Sequence, residues 1–263
     1  MKNRLSQITT VVLLVLVVCL PGCVMLDSFF SFLGFGGGAS APDTPDSLAM
    51  QAMDDYSRAS YTDALETFEE IKERYPFSQH SLLAELKAAD CQYYLGDYAE
   101  AIASYGEFEV NHPTNEAIPY VLFQIAMSSY KQIDSIDRDP GAAIDSITAF
   151  LKLLTAYPDS PYTVEANARV LAARNFLANH EFYVASFYVR TNELPMAEAR
   201  FRYLLANYPE TTAASKAEEI IVAIDAGNPP KRTWRDWVPD ISLPDWHTFT
   251  SISPGKGTSE TPQ

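Results

Sequence analysis

Cysteine and histidine carry the readiest nucleophilic and metal-binding chemistry in this 263-residue chain, which has three of the first and four of the second. His80, His112, His180 and His247 are dispersed, and no Cys/His pairs stand at zinc-site separations. His180-Glu181 begins like a metal-binding helix, but position 184 is Val and the second imidazole is missing. Gly36-Gly37-Gly38 leads into a spacer rather than a helix, so no phosphate-cradling loop forms there. Cys91 sits alone among apolar residues of a helical stretch and reads as a small buried hydrophobe. No catalytic residue, cofactor site or metal site emerges, and the sequence predicts a protein that is not an enzyme.

Cys23 has a different chemistry available. Lys2 and Arg4 precede the unbroken apolar run Val11 to Leu20, too short to span a bilayer but suited to a signal peptide. The run also holds Cys19 and ends in Leu20-Pro21-Gly22-Cys23. That ending resembles a bacterial lipobox, with Leu three before the cysteine and a small residue just before it. The resemblance implies cleavage before Cys23 and acylation of its thiol and new amino group, giving residues 1–22 as signal peptide. An ordinary signal peptide cleaved nearby is the alternative. Val24, where inner-membrane retention would want Asp, points to the outer membrane. Phe29, Phe30, Phe32, Leu33 and Phe35 are expected to lie in the lipid interface beside the acyl chains, and Ser40 to Asp46 to form a spacer. Residues 23–45 thus read as anchor and linker.

Charge narrows the partners. The formal net charge is −15, and removing Lys2 and Arg4 with the leader makes it −17. A chain so acidic does not bind nucleic acid, whose phosphates select clustered Lys and Arg. It does not adhere broadly to anionic lipid either.

The elements that position the remaining side chains follow from a punctuation that recurs four times: Ala64-Phe68-Pro76, Ala101-Tyr105-Pro113, Ser146-Phe150-Pro158 and Ala197-Phe201-Pro209. Residues i and i+4 share a helix face, so the small residue admits a neighbouring helix and the aromatic fills the space beside it. The proline then stops the helix, because it lacks an amide donor and keeps the preceding residue out of the helical region. Ser78, Thr114, Ser160 and Thr211 follow and are expected to cap the next helix. This is the second-helix signature of a tetratricopeptide repeat. The predicted fold is all-α: a tetratricopeptide-like solenoid of about four and a half helix pairs over residues 46–228.

Helix pairs are expected at 45–60 with 62–73, 81–95 with 99–110, 117–132 with a helix opened by Pro140, and a long helix ending near Arg190 with 195–206. A last helix spans 211–226. The prolines are 37, 45 and 51 residues apart, so the repeats lengthen along the chain. An acidic loop, Ile133 to Asp139, accounts for part of this. About 17 extra residues from Tyr162 account for the rest, nearly five turns. With no Gly or Pro from Val164 to Val189, one long helix is favoured over two. The tail, 229–263, carries Trp234, Trp237 and Trp246, which either cap the last helix or serve as a docking segment.

In such a solenoid the first helix of each pair lines the groove. Repeat arithmetic puts Asp54, Arg58, Lys87, Asp90, Tyr93, Tyr94, Tyr120, Gln124 and Tyr130 there. Mixed charge and tyrosine hydroxyls suit an extended or aromatic-ended peptide, with packing between helices the alternative for each tyrosine.

Taken with the lipobox and the uneven spacing, three segments resemble the BamD (YfiO/ComL) family of tetratricopeptide lipoproteins of the outer-membrane β-barrel assembly machinery. They are Arg74-Tyr75-Pro76-Phe77, Asp137-Arg138-Asp139-Pro140, and Ala156-Tyr157-Pro158-Asp159-Ser160-Pro161-Tyr162. Val184-Ala185-Ser186-Phe187-Tyr188 is similar to the end of the family's extended helix. The resemblance implies a periplasm-facing adaptor anchored in the outer membrane. The N-terminal repeats would receive unfolded outer-membrane proteins, including their aromatic-ended targeting signal, with Arg58 and Lys87 candidates for its carboxylate. The C-terminal repeats would bind a BamA-type barrel protein, with Tyr188 and Arg190 at the contact. Other Bam lipoproteins are left open as partners. Another cell-envelope scaffold of this repeat class, serving division or peptidoglycan machinery, is the alternative.

Overall fold

The computed structural model describes residues 44–228. The expectations for the leader, Cys23, the phenylalanine cluster and the tryptophan tail lie outside the described residues. Among the described residues there are nine helices and no strand: α1 (Pro45–Ser57), α2 (Tyr61–Arg74), α3 (Ser81–Leu95), α4 (Tyr98–Asn111), α5 (Ile118–Lys131), α6 (Gly141–Ala156), α7 (Thr163–Arg190), α8 (Leu194–Asn207) and α9 (Thr212–Asp225). Each packs on the next in antiparallel order, and α7 also touches α5 and α9. This is the stacked-pair arrangement of a tetratricopeptide-like solenoid.

The small–aromatic pairs form the interior, as their spacing required. Ala64, Phe68, Ala101, Tyr105, Ser146, Phe150, Ala197 and Phe201 are all fully buried. Each second helix then ends where proline follows, at Tyr75, His112, Tyr157 and Tyr208, and each of these caps donates its amide to the carbonyl four residues back.

The capping expectation holds at one site in four. Thr211 caps α9, its side chain accepting from the Ala214 amide. The residues before α3, α5 and α7 are His80, Ala117 and Tyr162, none with a side-chain cap. The Ser78, Asn115, Ser160 and Thr211 amides all donate to the Tyr75, His112, Tyr157 and Tyr208 carbonyls, but α3, α5 and α7 begin six residues after that carbonyl and α9 only four, so a longer turn intervenes at the first three. The turn places the polar residue two or three positions too early to cap. Thr44 supplies an unforeseen capping box with Ser47, so Pro45 and Asp46, where the expected spacer and first helix overlapped, belong to α1. That helix ends at Ser57, earlier than expected, where Ala59 adopts a left-handed φ of 61°.

The long segment is one helix of 28 residues, about 42 Å long. Its first part, Ala166 and Ala173, packs in the central core with Phe123, Phe150 and Leu153. Ala178, Phe182 and Ala185 pack in a separate core with α8 and α9. Phe176 and Leu177, between them, receive Ile133 and Ile136 of the acidic insertion. The His180 ring donates from Nδ1 to the Ile136 carbonyl at 2.7 Å, so the insertion is tied down on α7. Arg174 closes the far side, donating to Glu210 at 2.6 Å and to the Asn207 carbonyl at 2.8 Å. One continuous helix thereby joins two cores.

Candidate peptide-binding surface

The residues assigned to the groove separate into two groups. Asp90, Gln124 and Tyr130 are buried, which corrects their assignment as groove-lining: they pack between helices. Asp90 is fully enclosed in α3 and collects donors from its own helix and from α1, α4 and α5. Its Oδ1 accepts from the Tyr105 hydroxyl of α4 at 2.5 Å and the Tyr120 hydroxyl of α5 at 2.7 Å. Its Oδ2 accepts from Lys87 Nζ at 2.7 Å and the Tyr56 hydroxyl of α1 at 3.3 Å. Gln124 supports this group by donating to the Tyr120 oxygen at 2.9 Å. A buried carboxylate is tolerated only when its lone pairs are met in this way.

Burial, and then the Asp90 charge, push the Tyr56, Tyr105 and Tyr120 hydroxyls far above their ordinary range. They therefore stay neutral donors. Tyr130 is held from the other side by Arg169, whose guanidinium lies 5.1 Å from its ring centre and donates to Glu165 at 2.9 Å.

Lys87 is bound to this hub as well. Its ammonium sits 4.4 Å from the Tyr56 ring centre and on Asp90, with 22% of its side chain exposed. It neutralises an internal carboxylate, so Lys87→Glu would set two carboxylates against each other inside the fold. The structure leaves Arg58 as the accessible cation of the pair. It follows α1 and is ion-paired only with Asp54, one turn back, where both are exposed.

Tyr94 belongs to the exposed group, and beside Tyr93 the structure surrounds it with three tyrosines that repeat arithmetic passed over, Tyr56, Tyr61 and Tyr98. The Tyr61 and Tyr94 rings stack at 4.7 Å and 14°. Tyr56 stands edge-on to both, at 5.6 and 6.1 Å. Tyr93 meets Tyr94 and Tyr98 edge-on at 5.5 and 5.7 Å. Burial, then the neighbouring Tyr98, pushes the Tyr93 hydroxyl up to about 12. Tyr94 is half exposed, so the stack presents a fixed aromatic surface. It lies at the edge formed by the α1–α2 and α3–α4 turns, which also carries Arg58. Tyr61 and Tyr98 each begin a second helix beside those turns, a position that could have signalled them.

At the opposite end, Tyr188 is half-buried against the α7–α9 core and Arg190 is exposed, its guanidinium 5.8 Å from the half-exposed Phe187 ring. Cys91 is buried beside α1 and α2, and burial pushes its thiol up to about 12. No described helix is long and apolar enough to cross a membrane.

A family model described as outer membrane lipoprotein, YfiO, matches residues 42–227, which takes in all nine helices. The chain belongs to this family, which is that of BamD. Its similarity to the outer membrane protein assembly factor BamD of Vibrio cholerae is 32% identity over 199 residues, covering 70% of this chain and 83% of that one. Against BamD of Neisseria gonorrhoeae the identity is 26% over 184 residues, 66% of this chain and 69% of the relative. BamD of Caulobacter vibrioides is 24% identical over 164 residues, 62% and 54% of the two chains.

Proposed function

We propose that this chain is a non-catalytic adaptor for outer-membrane protein assembly. It is held at the outer membrane by acylated Cys23 and faces the periplasm. Its N-terminal half receives unfolded outer-membrane proteins, and its C-terminal half binds a BamA-type barrel protein around Tyr188 and Arg190. The observation that carries the client half is the Tyr61–Tyr94 stack with Arg58 at the same edge. A preformed aromatic stack offers large contact area with little further ordering, and an open edge accommodates chains of varied sequence. An aromatic-ended peptide places its last ring on the stack and its carboxylate toward Arg58. On the partner side, Phe187 and Arg190 present the aromatic and cationic chemistry that is enriched at interface anchors.

The test is twofold. The detergent-solubilised lipoprotein is expected to retain a BamA-type barrel protein in pull-down, and Arg190→Glu to release it. A fluorescent peptide ending in Phe with a free carboxylate is expected to bind about 3- to 10-fold more weakly to Tyr94→Ala, from the loss of one aromatic contact. Unchanged peptide affinity in both Tyr94→Ala and Arg58→Glu would refute the client surface. Depletion that causes filamentation with normal barrel proteins would favour a division scaffold instead.

A further inference from the structure

The turns of this solenoid fall on two edges, and they differ in chemistry. One edge carries the α1–α2, α3–α4, α5–α6 and α7–α8 connections. The other carries the proline turns after α2, α4, α6 and α8, together with the start of α1. Among the described residues the three most exposed large apolar side chains, Phe77 at 101%, Val164 at 82% and Val110 at 78%, all stand at the proline edge. Phe77 follows Pro76 in the α2–α3 turn, Val110 is one residue from the end of α4, and Val164 is the second residue of α7. Leu82, second in α3, is also exposed there. None of them belongs to a buried core.

The same edge is where the chain leaves toward its N-terminus. Asp46, in the first turn of α1, accepts from Gln79 at 3.2 Å and pairs with His80 at 2.6 Å. The Phe77 turn is therefore fastened to the first turn of α1, directly beside Thr44. The described residues begin at Thr44 on this edge, so a lipid carried by Cys23 would tether the solenoid from this side. Glu73, Glu116 and Asp159 are exposed along the same edge, while its cations Arg74 and Arg174 are ion-paired with Glu70 and Glu210, so among the described residues no cluster of unpaired positive charge draws the edge to anionic lipid.

We propose that the proline-turn edge is the face this protein turns to the lipid surface, with Phe77 inserted at the headgroup–acyl boundary beside the tether. This inference rests on the acylated-anchor reading given above. A phenylalanine there lies in the 5–10 Å zone where interfacial apolar side chains settle, and the attraction is apolar rather than electrostatic. The contact orients the solenoid, so that the Tyr61–Tyr94 stack on the opposite edge faces away from the membrane.

The experiment uses the full acylated chain in phosphatidylcholine vesicles, with Phe77→Cys carrying an environment-sensitive NBD label. Acylated Cys23 has no free thiol and Cys91 is buried, so labelling falls at position 77. Lys131→Cys, exposed at the end of α5 on the other edge, is the reference. The expected result is a blue-shifted emission at 77 and quenching by nitroxide lipids several-fold stronger than at 131, unchanged when anionic lipid is added. A protein that floats with the vesicles while both labels remain equally aqueous overturns the inference and leaves the anchor reading intact. Failure to float overturns both. Shielding of the 77 label without lipid, growing with protein concentration, assigns the edge to a second copy and overturns the lipid contact.

Discussion

Removing the Asp90 carboxylate tests whether the buried hub holds the N-terminal half together. Asp90→Ala leaves the fully buried Tyr105 hydroxyl without an acceptor, and an orphaned buried donor costs about 1–3 kcal/mol. Tyr120 keeps Gln124 as a donor to its oxygen but loses the acceptor for its own proton. Lys87 can swing toward water through its exposed fraction, so its contribution falls below that of a fully enclosed partner. The expected loss is about 3–5 kcal/mol, the range for breaking a buried charged pair. Asp90→Asn keeps one acceptor oxygen for the two tyrosines but turns an NH2 toward the Lys87 ammonium, and about 2 kcal/mol is expected. Because the donors come from α1, α3, α4 and α5, the loss falls on those helices, as solenoid stability is carried by neighbouring contacts. Hydrogen exchange read helix by helix, with urea unfolding followed by circular dichroism, makes the measurement. Combining Asp90→Ala with Tyr105→Phe is expected to cost less than the two changes added, since they remove one bond. Strict additivity, a loss under about 1 kcal/mol, or equal deprotection of α8 and α9 would refute the reasoning.

Two further predictions follow from local geometry. Gly96 holds a φ of 90° after α3 with open space around its Cα, so Gly96→Ala adds backbone strain without a clash; about 1 kcal/mol is expected, and an unchanged urea midpoint would contradict it. The Tyr56, Tyr93, Tyr105 and Tyr120 hydroxyls are all raised above their ordinary value of 10.0. The stability they contribute is complete below pH 10 and is lost as pH rises beyond it, because the unfolded chain sheds those protons first. Thermal melts are therefore expected to fall steeply above pH 10, and a Tyr105→Phe chain to fall less.

Periodicity along the chain was enough to locate the helices, because small–aromatic spacing and proline placement act within one or two turns. Ser81–Leu95 is bounded as expected, and the absence of Gly or Pro across residues 164–189 was sufficient reason for a single α7. Ser78, Thr114 and Ser160 were misread as caps because a turn of two or three residues shifts them out of register, and nothing in their types reveals that shift. The groove was legible only in part. Repeat arithmetic assigns a residue to a helix face, but it does not say whether a neighbouring tyrosine reaches across to close that face.

By itself, then, the sequence determined a tetratricopeptide-like all-α solenoid, since those signals are local and each residue type acts through its own backbone or its i+4 neighbour. Only the tertiary structure decided that Asp90 and Lys87 form an internal pair. Tyr56, Tyr105 and Tyr120 lie 34, 15 and 30 residues from Asp90 in sequence, and three helices must pack before their hydroxyls reach one carboxylate. The same holds for Tyr61 on Tyr94, and for Phe77, whose turn is brought beside the start of α1 by the packing of α2 between α1 and α3, where Asp46 then meets His80 and Gln79.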